Sequence, residues 1–292
     1  ALYTGLVPPG AEQRTADRLA EKIRANGRHL DTGFVGTPYL CRVLSAHGQH
    51  ELACDLLFNM DYPSWLYEVR MAATTIWERW NSVLPDGRIS STGMNSLNHY
   101  AYGSVAEWIY RYLAGIRPDG NGPGFSRVCL APLPDYRFRF LDATLKTPFG
   151  RLRSGWRFED GKLRMTFEVP IGSVAEVRLP DAPVDGISSE PGPSPAWRSE
   201  AGAAVAELPP GKYVFSYAPT RPYRKTWSVE LPPGELMAED RARAVIERHF
   251  KELGRRIPFM EESRRLIEVL RSPFVRVPED RIRAMDRELR AL

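Results

Sequence analysis

Apolar residues recur with helical spacing through the first part of the chain. Ala16, Leu19 and Ile23 fall on one face of a helix predicted over residues 11–26. The same reasoning predicts four more helices here, over residues 37–46, 49–58, 63–70 and 98–115. Short helices joined by loops that carry Gly, aromatic and polar residues are typical of an α-hairpin toroid, in which the loops at one rim form the pocket.

The hydrophobic period changes from about 3.6 to 2 beyond residue 125. Apolar side chains alternate with Arg, Thr and Glu over residues 163–169, which predicts a half-buried strand. The preceding Asp160-Gly161 pair is a hairpin-turn signal. Similar alternation occurs over residues 175–179 and 213–217. Short strands separated by Gly and Pro turns predict an antiparallel β-sandwich.

Helical spacing returns at the end of the chain, with amphipathic helices predicted over residues 239–254, 261–271 and 279–292. Three such helices could form a small bundle. We therefore predict a mixed α and β, multidomain protein with a helical domain at residues 1–120, a β-sandwich domain at residues 121–228 and a helical tail at residues 229–292.

Composition narrows the functional classes. The chain has 292 residues, 43% of them apolar, which is enough for two or three small domains with their own cores. Its 40 Lys and Arg against 36 Asp and Glu leave a net charge of +4, with the two signs interspersed. This pattern predicts a solvated mixed surface rather than a nucleic-acid partner. No apolar run reaches membrane-spanning length and no signal peptide opens the chain, so no membrane partner is expected.

The three cysteines, Cys41, Cys54 and Cys129, form neither a Cys-x-x-Cys motif nor an even set. A zinc ribbon and a disulfide framework are therefore not indicated. Cys41 and Cys54 fall on apolar helical faces and are expected to be small buried side chains. Such usage favours a reducing compartment, and we predict a cytoplasmic location. His47 and His50 have metal-like spacing without a supporting Glu or Cys, so no metal is expected.

The stretch Trp77-Glu78-Arg79-Trp80 has the composition of a sugar-processing site. Indole faces stack on the C–H face of a pyranose, and a carboxylate can activate water or support positive charge at the anomeric carbon. The preceding β-branched residues favour an extended segment over a helix. The residue types alone favour a Trp-rich core turn, in which Glu78 forms an ion pair with Arg79, over a catalytic site.

Two other motifs decide between these interpretations. Thr32-Gly33-Phe34-Val35-Gly36-Thr37-Pro38 lies upstream, and Asn95-Ser96-Leu97-Asn98-His99-Tyr100-Ala101-Tyr102-Gly103 lies downstream. In this order and spacing, the three motifs resemble the bacterial α-L-rhamnosidases of glycoside hydrolase family 78. The resemblance runs from residue 1 to about residue 223 and covers the C-terminal part of such an enzyme.

The resemblance implies both an architecture and a chemistry. Residues 1–120 would be the C-terminal part of an (α/α)6 catalytic barrel. The enzyme would hydrolyse terminal α-L-rhamnose from a glycoside or oligosaccharide with inversion and without a cofactor. Inversion needs two carboxyl groups, roughly 6.5–9.5 Å apart. Glu78 matches the family's general base, and His99 matches a residue of the rhamnose subsite. Further substrate contacts are expected from Trp77, Arg79, Trp80 and Phe34.

The family's general acid belongs to an earlier motif that this sequence does not contain. Glu68 and Glu107 are the nearest alternatives, and neither stands in that motif. The chain alone is therefore expected to lack one catalytic carboxyl, and its partner would be a missing N-terminal half or a second copy of the chain. The alternative function is a non-catalytic carbohydrate-binding or structural remnant of such an enzyme. The aglycone, the oligomeric state and the role of the tail do not follow from the sequence.

Overall fold

Two compact units make up the fold. The computed structural model describes residues 1–91, 93–120, 122–255 and 264–292. The first unit contains Ala1–Ala16 and Leu30–Tyr223, and the second contains Asp17–His29 and Arg224–Leu292. The first helix, α1 (Glu12–Ala25), is divided between the units after Ala16. The predicted domain boundaries at residues 120 and 228 stay predictions.

Helices of the first unit follow the predicted pattern closely up to residue 70. They are α2 (Thr37–Ala46), α3 (His50–Phe58), α4 (Trp65–Arg70) and α5 (Val105–Trp108). The last of these continues a 3₁₀ turn at Ala101–Ser104 and runs into a π turn at Ile109–Leu113. The prediction that this helix begins at residue 98 was wrong, because the backbone of residues 95–99 pairs with residues 76–78 instead.

Packing of α2 against α3 uses the apolar faces that the sequence indicated. Leu44, Leu52 and Leu56 are fully buried there. Cys41 and Cys54 are also buried and free, which confirms their expected role as small core side chains. Trp108 of α5 completes this core at 1% exposure.

The β-rich part contains two five-stranded sheets. The first sheet has the order β1-β2-β6-β9-β8, and the second has the order β3-β4-β5-β10-β7. The strands are β1 (Ile116–Pro118), β2 (Arg127–Leu130), β3 (Phe140–Thr147), β4 (Gly150–Glu159), β5 (Lys162–Val169), β6 (Val174–Pro180), β7 (Ser188–Glu190), β8 (Arg198–Glu200), β9 (Ala203–Leu208) and β10 (Gly211–Tyr217).

Strand direction departs from the prediction at one pair. β2 and β6 are parallel, whereas every other paired neighbour in the described sheets is antiparallel. The reason is topological, since β3, β4 and β5 of the other sheet lie between β2 and β6 along the chain. A connection of this length permits parallel pairing, which a tight hairpin does not.

The hairpin between β4 and β5 confirms the turn prediction. Asp160 and Gly161 separate the two strands and both have positive φ, at 50° and 74°. A two-residue turn with positive φ at both positions matches the right-handed twist of the flanking strands. The alternation predicted over residues 163–169 is borne out, since Leu163, Met165 and Phe167 are fully buried.

The second unit has a hydrophobic cluster of its own. Its helices are α6 (Pro233–Met237), α7 (Asp240–Glu252), α8 (Leu266–Arg271) and α9 (Glu279–Arg290). Phe250, Leu266 and Leu289 are among its buried members. The helix predicted from residue 261 begins at Leu266, and residues 261–263 of that prediction lie outside the described residues. The sequence did not predict α6.

Candidate functional site

The backbone brings the second and third motifs together in the first unit. Glu78 N donates to Ser96 O at 2.9 Å, and His99 N donates to Ile76 O at 2.8 Å. The two bonds run in opposite directions across the pair of segments, as in a short antiparallel ladder. They fix Glu78 and His99 on neighbouring stretches of backbone, although the two residues are 21 positions apart in sequence.

The Glu78 carboxylate is half-buried and receives a hydrogen bond from the main chain. Ser96 N donates to Glu78 Oε2 at 2.8 Å, so Glu78 and Ser96 are joined through both backbone and side chain. Among the described residues, no ion pair joins Glu78 to Arg79. The ion pair of the core-turn interpretation is therefore not formed. A backbone amide supplies the partner of this carboxylate instead.

A small polar network joins the loop that follows Glu78 to Asn95 of the third motif. Arg79 N donates to Ser82 Oγ at 3.1 Å, and Ser82 Oγ donates to Asn95 Oδ1 at 2.6 Å. Asn95 Nδ2 donates back to Ser82 O at 3.2 Å. Because Ser82 is fully buried, these bonds satisfy polar atoms that would otherwise be costly to bury.

His99 precedes the 3₁₀ turn and caps it. Ala101 N donates to His99 Nδ1 at 3.3 Å, so Nδ1 is the acceptor and the neutral ring carries its proton on Nε2. The imidazole stacks on Tyr100 at 5.3 Å and lies 5.7 Å from the Phe34 ring. Phe34 is 46% exposed and belongs to the first motif. The first and third motifs therefore meet at His99, and the second is joined to the third through Glu78 and Ser96.

Trp77 and Trp80 lie beneath the loop rather than on its surface. Their exposures are 3% and 8%. Trp80 stacks on Tyr102 with ring centroids 3.7 Å apart, and its Nε1 donates to Thr32 O at 2.8 Å. The second bond ties the first motif to the second. Both indoles pack in the interior of the first unit. Contact between either indole and a substrate stays a prediction.

Comparisons with known proteins agree with these motifs. Residues 1–113 match the bacterial alpha-L-rhamnosidase 6 hairpin glycosidase domain, and residues 115–192 match the bacterial alpha-L-rhamnosidase C-terminal domain.

The chain belongs to the bacterial alpha-L-rhamnosidase family.

Similar rhamnosidases are known from several organisms. An alpha-L-rhamnosidase of Formosa agariphila is 41% identical over 62% of the chain and 19% of its own length. The alpha-L-rhamnosidase of Streptomyces avermitilis, whose structure is solved in complex with L-rhamnose, is 39% identical with a TM-score of 0.68. That match covers 74% of this chain and 20% of the other. The alpha-L-rhamnosidase of Dictyoglumus thermophilum is 31% identical with a TM-score of 0.66, covering 74% of this chain and 24% of that one. The chain thus spans about a fifth of the length of the curated rhamnosidases it matches.

Glu68 is an acidic residue whose buried environment the sequence did not predict. It lies on α4 with 2% exposure, and Trp77 N donates to its Oε2 at 3.3 Å. Burial raises the pKa of its carboxyl to about 7, against a smaller lowering by the Trp77 amide. One signal was available, because Glu68 follows Trp65 by three positions and so shares its inward face. Glu107, the other alternative, lies apart and forms ion pairs with Arg42 and Arg111.

Other binding features of the described chain lie away from these motifs. A cavity of about 490 Å³ lined by Tyr112, Arg117 and Arg178, among others, includes no residue of the three motifs. Within the described ranges, no group of three His, Cys, Asp or Glu side chains is arranged to hold a metal ion. No helix in the described part of the chain is both long enough and apolar enough to cross a membrane.

Proposed function

We propose that this chain provides the general base and part of the rhamnose subsite of an inverting α-L-rhamnosidase. The observation that carries the proposal is the placement of the half-buried Glu78 carboxylate on the Ser96 amide, on a segment paired with the one that presents His99. The proposed substrate is a terminal α-L-rhamnose of a glycoside or oligosaccharide. No cofactor is needed, because hydrolysis with inversion uses only two carboxyl groups and water.

Glu78 acts on water in the proposed mechanism. Its carboxylate accepts a proton from a water that attacks the anomeric carbon from the face opposite the leaving group. The hydrogen bond from Ser96 N–H occupies Oε2 and leaves Oε1 for the water. This bond also limits rotation of the side chain, so that the base is held in one orientation.

Sugar contacts are proposed for His99, Phe34 and Arg79. With Nδ1 occupied by the Ala101 amide, His99 Nε2–H is the ring donor that remains for a sugar hydroxyl. The partly exposed Phe34 ring near it offers an apolar face for pyranose C–H groups. Arg79, half-buried beside Glu78, contributes positive charge at the same place. Trp77 and Trp80 support the loop from below, and any direct contact they make with sugar remains part of the same proposal.

The second carboxyl is proposed to come from outside this chain. The two matched domains and the short coverage of the relatives are consistent with a C-terminal part of an (α/α)6 barrel followed by a β-sandwich. Val35, Met94 and Tyr100 near the motifs are 74%, 83% and 88% exposed, which fits a surface that another segment or copy covers. The three free cysteines support a reducing compartment such as the cytoplasm.

The alternative, a non-catalytic carbohydrate-binding or structural role, is favoured by the lack of an acid motif. A carbohydrate-binding role predicts the same binding of L-rhamnose as the leading proposal, a structural role predicts none, and neither predicts turnover in any context. The two functions therefore differ in what happens when a complete second half is supplied.

A segment exchange tests the proposal. The corresponding fifth of the S. avermitilis rhamnosidase is replaced by this chain, and release of nitrophenol from an aryl α-L-rhamnoside is measured. We expect turnover that falls by about 10²-fold or more in Glu78→Gln, since general-base catalysis contributes about 10²–10⁴-fold. Glu107→Gln, a surface change, serves as the matched control and should leave turnover unchanged. A folded hybrid in which Glu78→Gln matches the control would refute the assignment, and a folded but inactive hybrid would support the non-catalytic alternative.

A further inference from the structure

Glu68 combines two features that rarely occur together. The residue is buried, with 2% exposure, yet its side chain ends in an ionisable group. Its Oε1 is also buried and has no hydrogen-bond partner among the described residues. Buried polar atoms are normally paired, and each unpaired one requires an explanation. Such a carboxyl is costly to keep, so it calls for an explanation beyond packing.

The one side-chain bond that Glu68 makes is to the residue before the proposed base. Glu68 Oε2 accepts from Trp77 N at 3.3 Å, and Trp77 immediately precedes Glu78. The neighbouring backbone groups bond in the other direction, with Ile76 O accepting from His99 N and Glu78 N donating to Ser96 O. Residues 76 and 78 are thus bonded to the 95–99 segment, whereas Trp77 between them is bonded to Glu68 of α4.

Loss of the inner anchor would leave the peptide between Ile76 and Trp77, one residue before Glu78, held from one side alone, by the His99 amide on the Ile76 carbonyl. Because a catalytic group displaced by about 1 Å can lose about 10²-fold in rate, this anchor bears directly on chemistry. A carboxylate also holds an amide N–H roughly twice as strongly as a neutral acceptor does. The ionised form of Glu68 is therefore the form that fixes the loop.

We infer that Glu68 is a positioning residue, whose carboxylate holds the Trp77 amide and thereby sets the placement of Glu78. The inference rests on the proposed function and deepens it, since it names what aligns the base. Glu68 itself does not touch substrate. Its carboxyl is enclosed beneath the loop, so it acts through the main chain rather than by proton transfer to sugar or water.

The state of this anchor depends on pH. Burial raises the Glu68 pKa to about 7, so the carboxyl is neutral below that value and ionised above it. The Glu68 charge acts on the hydroxyl of Tyr102. The pKa of Tyr102 is raised to about 12, mainly by burial and to a smaller extent by the Glu68 charge. Tyr62 and Arg79 act on the same Tyr102 hydroxyl. Because the Tyr102 hydroxyl stays protonated throughout the neutral range, Glu68 is the member of this pair that changes state near pH 7.

The test uses the 292-residue chain itself and does not require turnover. Nuclear magnetic resonance of chain carrying carboxyl-¹³C glutamate and ¹⁵N follows the Glu68 carboxyl and the amides of Trp77 and Glu78 between about pH 5 and pH 9. We expect both amide signals to shift with one midpoint near the Glu68 value. In Glu68→Gln, which keeps an oxygen acceptor and the side-chain volume, this common midpoint should vanish and the Trp77 amide should exchange about tenfold faster. The Glu107→Gln variant should match the parent chain.

Binding of L-rhamnose supplies the functional half of the experiment. We expect the affinity of the chain to change severalfold across the same midpoint, and we expect Glu68→Gln to remove the component of the pH dependence that has this midpoint. Amide shifts that ignore the Glu68 titration, or that persist in Glu68→Gln, would overturn the inference. A variant that melts at a lower temperature yet keeps the pH-dependent affinity would also overturn it, because a structural role alone explains that result.

Failure of the inference is distinguishable from failure of the proposed function. If the amides follow Glu68 but Glu78→Gln does not slow the segment-exchanged rhamnosidase, the anchor is real and the proposed function is wrong, so the positioning role falls with it. If rhamnose binds in a manner that requires His99 but is indifferent to Glu68, the proposed function stands and the inference alone is overturned.

Discussion

Glu78 and Ser96 are joined by two hydrogen bonds that use different parts of each residue. The Glu78 amide donates to the Ser96 carbonyl at 2.9 Å, and the Ser96 amide donates to the Glu78 side chain at 2.8 Å. The backbone that holds the loop in register therefore also orients its carboxylate. A substitution that removes the amide hydrogen at position 96 breaks the bond to the Glu78 side chain and keeps the carbonyl that accepts from Glu78 N. The Ser96 side chain takes part in neither bond.

Replacing Ser96 by Pro removes the amide that donates to Glu78 Oε2. We expect turnover of the segment-exchanged rhamnosidase to fall about tenfold or more, because a hydrogen bond to a charged group contributes about 1.5–3 kcal/mol. Ser96→Ala is the matched control, since it keeps the amide and removes only the hydroxyl contacts with Asn98. Equal turnover in the two variants would show that this amide does not orient the base.

The stability of the first unit should depend on pH through Glu68. Between about pH 4.5 and pH 7 the folded state holds a Glu68 proton that the unfolded state has released, because burial raises the folded pKa to about 7. The stabilisation of the folded state by this Glu68 proton is therefore fully present below pH 4.5, declines as pH rises, and is lost above about pH 7. Its full size is on the order of 3 kcal/mol.

Glu68→Gln should remove that slope, which urea melts at several pH values would measure. Burial lowers the pKa of His50 to about 4, so His50 makes the folded state more stable as pH rises. This effect is the same in the parent chain and in Glu68→Gln, so it cancels when the two are compared. If the difference in unfolding free energy between the parent chain and Glu68→Gln is the same at every pH in this range, burial does not raise the pKa of the Glu68 carboxyl.

A buried hydrogen-bond chain links α2, α3 and α5. Trp108 Nε1 donates to Ser45 Oγ at 2.8 Å, and Ser45 Oγ lies 2.9 Å from His50 Nδ1. His50 Nε2 lies 3.0 Å from the Leu133 carbonyl, so Nε2 is the donor and Nδ1 accepts from the Ser45 hydroxyl. The low pKa of His50 keeps the ring neutral, as this arrangement requires.

Ser45→Ala should break the chain at its centre and leave the indole N–H without an acceptor. We expect a loss of about 2–3 kcal/mol in unfolding free energy, the usual cost of orphaned buried polar groups. Ser91→Ala, at an exposed position, should cost less than about 0.5 kcal/mol. Chemical denaturation of the two variants decides the point, and similar midpoints would show that the chain contributes no net stability.

Gly115 is the site where the helical part meets β1, and no side chain fits there. Its φ is +72°, and an added Cβ would lie 2.1 Å from backbone atoms of Ala131 and Pro132. Gly115→Ala should therefore cost about 4–5 kcal/mol or prevent folding, as expected when backbone must move. Gly120→Ala is the control, because Gly120 has a φ of +83° with open space and should lose only about 1–2 kcal/mol. Comparable soluble yields and melting temperatures would contradict the prediction.

Local patterns were sufficient for most of the regular structure. The alternation at residues 163–169 gave β5, because a strand with one buried face must alternate. The Asp160-Gly161 turn was readable for the same kind of reason, since few residue pairs adopt positive φ twice in succession. The parallel pairing of β2 and β6 was not readable, because pairing across such a separation depends on the path of the other sheet.

The candidate site also has features that the sequence determined and features that it did not. The sequence by itself determined the three motifs, their order and the carboxylate, imidazole and aromatic groups they contain, and these were enough to indicate the family. It could not determine that Trp77 and Trp80 turn inward, that His99 uses Nδ1 to cap a 3₁₀ turn, or that Glu68 holds the Trp77 amide. Those features depend on which side of an irregular loop faces α4 and the 95–99 segment. Only the tertiary structure decides this, because a loop without a regular period does not assign its side chains to either face.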